Sequence, residues 1–152
     1  MRNSHIRFIL ALMTLVFGAA AEELLPKALG VGFPVLLAAL PVMATRPPAA
    51  LPVLFALAAG AMEDSISSLP FMTSSSFFLL AVVLARWTHL PAVVAAVAFP
   101  AYQVWLCIWV AGLQGGVPGR LLLSVPLGII AYGVVSTVLA VAERKAAVDE
   151  EG

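Results

Sequence analysis

Residues 87–119 pass without a single Asp, Glu, Lys or Arg, and so do residues 28–45, 65–85 and 121–142. A helix that crosses the hydrocarbon core of a bilayer needs about 20 predominantly apolar residues, with a range of roughly 17–25. Runs of this length and composition therefore constrain the chain before any motif does. Hydrophobic residues make up 62% of the 152 and charged residues 11%, with a mean hydropathy of +1.07. Soluble domains carry about 25% charged residues, and a soluble fold of this size has too little interior to hide so much apolar surface. Strands of an outer-membrane barrel alternate polar with apolar residues, whereas these runs are apolar on every face. The expected class is an all-α polytopic membrane protein: a bundle of six transmembrane helices forming one domain over residues 1–143, followed by a polar tail at 144–152.

The spans are expected at about 6–25, 28–45, 49–66, 73–88, 91–112 and 120–142. Pro26, Arg46-Pro47-Pro48, His89-Leu90-Pro91 and Gly115-Gly116-Val117-Pro118-Gly119 punctuate them, because proline lacks an amide donor and restricts the residue before it. The interior prolines 34, 41, 52, 100 and 126 are expected to kink helices whose freed carbonyls find partners on neighbouring helices. Arg2, Arg7, Arg46, Arg86, Arg144 and Lys145 then share one side, against Lys27 and Arg120 on the other. The positive-inside rule puts the richer side, with both termini, in the cytoplasm. The location implied is a bacterial inner membrane, crossed several times. Basic Arg2 and Arg7, the run FILALMTLVFG and Ala19-Ala20-Ala21 also fit a cleavable secretory signal. Cleavage would leave five spans, and retention keeps the charge alternation. The tail ERKAAVDEEG reads as a solvated, frayed end.

Little in the chain suggests catalysis. Hydrolytic chemistry needs a nucleophile beside a base, or a metal held by clustered ligands. His5 and His89 fall at the expected cytoplasmic ends, and no GxSxG, HExxH or paired-aspartate pattern occurs. No enzyme, cofactor or metal site is expected, and a net charge of zero offers no basic surface for nucleic acid. Cys107 lies in an apolar run as a small core residue or, less simply, a reactive thiol. Gln103 is the deepest polar side chain, bonded to a neighbouring helix or touching a ligand. Trp105 and Trp109 share a helix face, and Trp87 falls where an interfacial aromatic belt would lie.

The acids are concentrated elsewhere. Glu63 and Asp64, in GAMEDSISSLPFM, sit with Glu22 and Glu23 on the expected outer side. As sequence neighbours they point about 100° apart on a helix and cannot face each other as an acid–base pair. Two carboxylates at a helix C-terminus oppose the macrodipole, which calls for a cationic partner in this protein or another. The stretch reads either as a solvated turn or as a fixed feature that docks something.

The segment LFALAAGAMEDSISSLPFMTSSSFFLLAVVLAR (54–86) resembles the central signature of the MreD family of rod shape-determining membrane proteins. The match runs through Gly60, Ala61, Asp64, Ile66 and Ser67. The family pattern carries glycine where Ser68 and Met72 stand, and an apolar residue or glutamine at Glu63. What the resemblance implies is a non-enzymatic scaffold of the cell-elongation machinery that builds lateral-wall peptidoglycan. Its partners would be the lipid bilayer, an MreC-like protein and other membrane proteins of that complex, with no substrate. Asp64, Glu63, Gly60 and Ser67 would be its partner-docking or structural residues. The family's fold is similar to the substrate-binding subunits of energy-coupling-factor transporters, so the alternative is a vitamin-binding subunit. The small-residue pattern those subunits place on their first helix is absent here. The small-residue runs ALAAGA (56–61) and AVVAAVA (92–98) would serve for close helix packing.

Overall fold

The structure, a computed structural model, describes residues 2–29, 34–46, 48, 50–66, 69–70, 72–106, 108 and 117–151. Among these residues the chain is all-helical, with six helices: α1 (Arg2–Leu29), α2 (Val35–Ala44), α3 (Ala50–Ile66), α4 (Thr73–Thr88), α5 (Pro91–Leu106) and α6 (Val117–Glu151). At 1.5 Å rise per residue, α6 is roughly 52 Å long and α2 only about 15 Å.

The short helix is the centre of the molecule. α2 carries no charged side chain, every residue from Leu36 to Ala44 is buried, and it packs against all five other helices. A helix apolar all round is stable only where it is surrounded. The most extensive pairing is between α3 and α4. Pro52, Phe55, Ala56, Ala59, Gly60 and Asp64 are its buried face on α3, a spacing of three and four residues that forms one helical stripe. Against it lie Ser74, Ser75, Phe78, Ala81, Val82 and Ala85, all buried on α4. Small side chains dominate both stripes, so the two backbones come close.

The longest helices form the outside. Among the described residues two stretches, His5–Leu24 of α1 and Ser124–Lys145 of α6, are long and apolar enough to cross a membrane. Phe8, Leu12, Val16 and Phe17 on α1 and Ile129, Val134, Val138 and Val141 on α6 are exposed. One end of the bundle is basic. Arg46, just after α2, pairs with Glu143 of α6 at 2.7 Å, and Arg7 of α1 lines the same cleft. Both side chains of the pair are about one-quarter to one-third exposed; pairs of this kind contribute about 0–1 kcal/mol and fix orientation more than stability.

Element boundaries differ from expectation in three places. α1 continues through Pro26 to Leu29, because a proline in the last turn breaks only one hydrogen bond near an end that frays in any case. α2 begins after Pro34, which stands at its N-cap instead of kinking its interior; the proline lacks an amide where helix amides are orphaned anyway. α6 runs on to Glu151, so residues 144–151 extend the helix where a frayed tail was expected. Pro52 falls in the first turn of α3, while Pro41, Pro100 and Pro126 lie within helices as expected.

Candidate functional site

At the end of the bundle opposite the Arg46–Glu143 pair, the start of α4 gathers three helices. The first amides of any helix lack intrahelical partners, and here those of Thr73 and Ser74 find one outside the helix. Thr73 N donates to Pro70 O at 3.1 Å and Ser76 N to Met72 O at 3.0 Å. Ser74 N donates to Asp64 Oδ1 of α3 at 2.8 Å. A carboxylate on a helix N-terminus is held by charge-assisted hydrogen bonding and by the dipole. The macrodipole that opposes Asp64 from its own helix is thus answered by the dipole of α4.

Asp64 also holds the turn through its backbone, since Leu69 N donates to Asp64 O at 2.9 Å. One residue therefore ties both ends of the connection between α3 and α4. Its second carboxylate oxygen, Oδ2, is buried and has no hydrogen-bond partner. One turn earlier on α3, Gly60 lets the helices meet: a Cβ at this position would lie 2.3 Å from Ser75 Cα and 2.5 Å from Ser75 N.

α5 closes the corner. The Ser74 and Tyr102 hydroxyls share a hydrogen bond of 2.6 Å, and Trp105 Nε1 donates to Thr73 O at 3.0 Å. The Tyr102 ring packs against Phe77 and Phe78 at centroid distances of 5.2 and 5.5 Å, and Trp105 packs against Phe77 at 5.9 Å. Tyr102→Phe keeps the ring contacts but strands the fully buried Ser74 hydroxyl. The expected cost is about 2 kcal/mol, read as a fall of roughly 4–8 °C in the unfolding midpoint of the purified chain. An unchanged midpoint would show that Ser74 finds another partner.

A second corner repeats this plan. Glu22 of α1 accepts a 2.7 Å hydrogen bond from Leu36 N in the first turn of α2, as Asp64 accepts from Ser74 N in the first turn of α4. Each acid stands four residues after a glycine, Gly18 or Gly60, that faces the helix being capped. The Glu22 and Glu63 side chains lie within hydrogen-bonding reach of each other, which brings the two corners together.

Among the residues singled out from sequence, Asp64 and Gly60 are at the centre of the α3–α4 corner, and Glu63 joins it to α1. Ser67 lies outside the described residues, as do Cys107 and Trp109. Gln103 is half-buried on α5, one position from Tyr102, and it is Tyr102 that makes the buried interhelical bond. Sequence reasoning missed Tyr102 and the capping role of Glu22. The repeated spacing of glycine and acid, at 18 and 22 and again at 60 and 64, was the available signal for the second. Met72 adopts a left-handed conformation with φ 65, which glycine enters without steric cost and other residues do not. It is one of the two positions where the MreD pattern carries glycine. Among the described residues, no three His, Cys, Asp or Glu side chains are grouped to hold a metal ion.

The corner is built for fixing helices. It presents hydrogen bonds already used within the chain, an apolar aromatic backing and carboxylates seated on amides. Among the described residues it brings no base to a nucleophile. No family model, curated protein or solved structure matches the chain.

Proposed function

We propose that the chain is a non-enzymatic scaffold of the bacterial cell-elongation machinery, crossing the inner membrane six times with both termini in the cytoplasm and binding an MreC-like partner. The observation that carries this reading is the α3–α4 corner. Two of the residues that resemble the MreD signature fix it, Asp64 bonded to Ser74 N and Gly60 against the Ser75 backbone, while Met72, a departure from the pattern, stands in the conformation that glycine prefers.

Six spans are supported by the charge-free runs and by the two ends of the bundle. Arg7, Arg46 and Glu143 meet at one end, Glu22, Glu63 and Asp64 at the other. The short α2, enclosed by all five other helices, lies shielded from lipid, while α1 and α6 present their apolar faces to it. Binding in this reading uses exposed helix faces that pack against partner helices, and the corner keeps those faces in register.

Co-expression of the tagged chain with an MreC-like protein in bacterial membranes tests the reading. Capture of the tag after mild detergent extraction is expected to bring the partner down in near-stoichiometric amount. Capture of the chain alone would overturn the scaffold, and so would a vitamin held tightly through purification, which belongs to a transporter subunit.

A further inference from the structure

The two capping corners meet at one pair of side chains. Glu22 of α1 and Glu63 of α3 are half-buried and within hydrogen-bonding reach of each other. Glu22 Oε1 already accepts from Leu36 N at 2.7 Å, and that amide fixes the carboxyl where Glu63 meets it. An ionised carboxylate only accepts, whereas a protonated carboxyl donates one O–H. A hydrogen bond between two carboxyl groups therefore needs a proton that neither ionised form has. We propose that Glu22 and Glu63 share one proton at neutral pH, and that this proton latches α1 to α3.

The surroundings favour the same state. Two carboxyls sharing a site repel each other when both ionise, so one of such a pair keeps its proton. Around this pair, α2 has no titratable residue, α3 adds the acid Asp64, and Tyr102 of α5 is close enough to interact with Glu22, Glu63 and Asp64 alike. On α6 the described titratable side chains are Tyr132 and, at the other end of the bundle, Glu143, Arg144 and Lys145. α1 itself adds Glu23, and the side chains of Lys27 and Arg120 lie outside the described residues.

Loss of the proton replaces a hydrogen bond with like-charge repulsion at the contact of α1 with α3, and α1 loosens. The sign follows from the unfolded chain, where both carboxyls return to the ordinary value of about 4.3 and are ionised at neutral pH. The folded chain then binds one proton more than the unfolded one. The latch is fully present below about pH 4.3 and is lost as pH rises until the pair gives up its proton. In the membrane reading above, the pair stands at the outer end of the bundle, so the latch answers to pH outside the cell.

Infrared spectroscopy of the full chain, in a detergent without carbonyl groups, reads the proton directly, because a protonated carboxyl has a carbonyl stretch separate from those of carboxylates and amides. At about pH 7, where an unperturbed carboxyl is ionised, the expected result is a band from one carboxyl per chain. Glu22→Gln and Glu63→Gln, whose amides donate in place of the proton, are each expected to abolish it. Glu23→Gln and Asp64→Asn are expected to leave it. Absence from the wild type, survival in either of the first two variants, or loss in either control would overturn the shared proton. Thermal unfolding followed by tryptophan fluorescence tests the latch. From about pH 5 to about pH 8 the wild type should lose stability relative to Glu63→Gln, by about tenfold in the unfolding constant for each pH unit over which only the folded chain holds the proton. His5 and His89 also titrate in this range, but both proteins carry them and they drop out of the comparison. Parallel pH profiles would overturn the latch. Failure of the membrane reading looks different: the chain would be recovered in the soluble fraction without detergent, with the band still present.

Discussion

Gly60→Ala is expected to cost about 3 kcal/mol, the upper end of the range for inserting a methyl group into a packed interior. The added carbon would lie 2.3 Å from Ser75 Cα and 2.5 Å from Ser75 N, and backbone atoms of a helix held at both ends cannot step aside. The helices must separate, across the most extensive interface in the bundle. For a chain of this size the unfolding midpoint should fall by roughly 6–12 °C, followed by tryptophan fluorescence in detergent. Gly18→Ala is the control, because its contact at 2.7 Å is Leu36 Cδ2, the far end of a flexible side chain, and its next neighbours lie at 3.4 Å. A rotamer change relieves it for about 0.5–1.5 kcal/mol. Equal losses from the two substitutions would show that the approach of α3 to α4 is not what Gly60 provides.

Asp64→Ala is expected to be the second largest loss. It strands Ser74 N at the start of α4 and removes a charge-assisted bond, together about 1.5–3 kcal/mol. Asp64→Asn retains an acceptor for Ser74 N and gives up only the interaction of the charge with the α4 dipole, about 0.3–1 kcal/mol. Thermal unfolding should therefore rank wild type, Asn and Ala in that order, with Asn close to wild type. Co-purification with an MreC-like partner should follow the same ranking if the corner serves docking by holding helix faces in register. Should Ala leave both unfolding and co-purification unchanged, Asp64 has neither role. A loss of co-purification in Asn with an unchanged midpoint would instead point to a partner that reads the charge directly.

The elements most legible in the sequence are those whose ends are marked by local chemistry. The bounds 73–88 for α4 and 49–66 for α3 lie within one residue of the structure, because Pro47-Pro48, Leu69-Pro70 and His89-Leu90-Pro91 stop helices by removing donors and restricting neighbours. The same rule misplaced the break after α1, since a proline near a helix end removes one hydrogen bond without ending the helix. It also missed that α2 is short and central. An apolar run reports only that it must avoid water, and burial by protein satisfies that as well as burial in lipid.

In the site, Asp64 stood out because an isolated charge in an apolar chain requires compensation. The compensating group did not stand out, since it is a backbone amide that every residue possesses. Tyr102 was overshadowed by Gln103 for a related reason. Polarity ranks side chains in a list, but only helix rotation decides which of two adjacent residues faces the neighbouring helix. The burial of Ser74 and Ser75 against α3 and α5 follows from Gly60 opening the space.

By itself, then, the sequence determined that this chain is helical and largely apolar, where several helices stop, and that Asp64 must have a partner. These follow from periodicity, proline chemistry and the cost of an uncompensated charge, all properties of residues and their near neighbours. Only the tertiary structure decided that the partner is the first turn of α4, that Glu22 does the same for α2, and that Tyr102 closes the corner. Those depend on helix rotation and interhelical distance, which are set by contacts between residues 10 to 32 positions apart and leave no local mark.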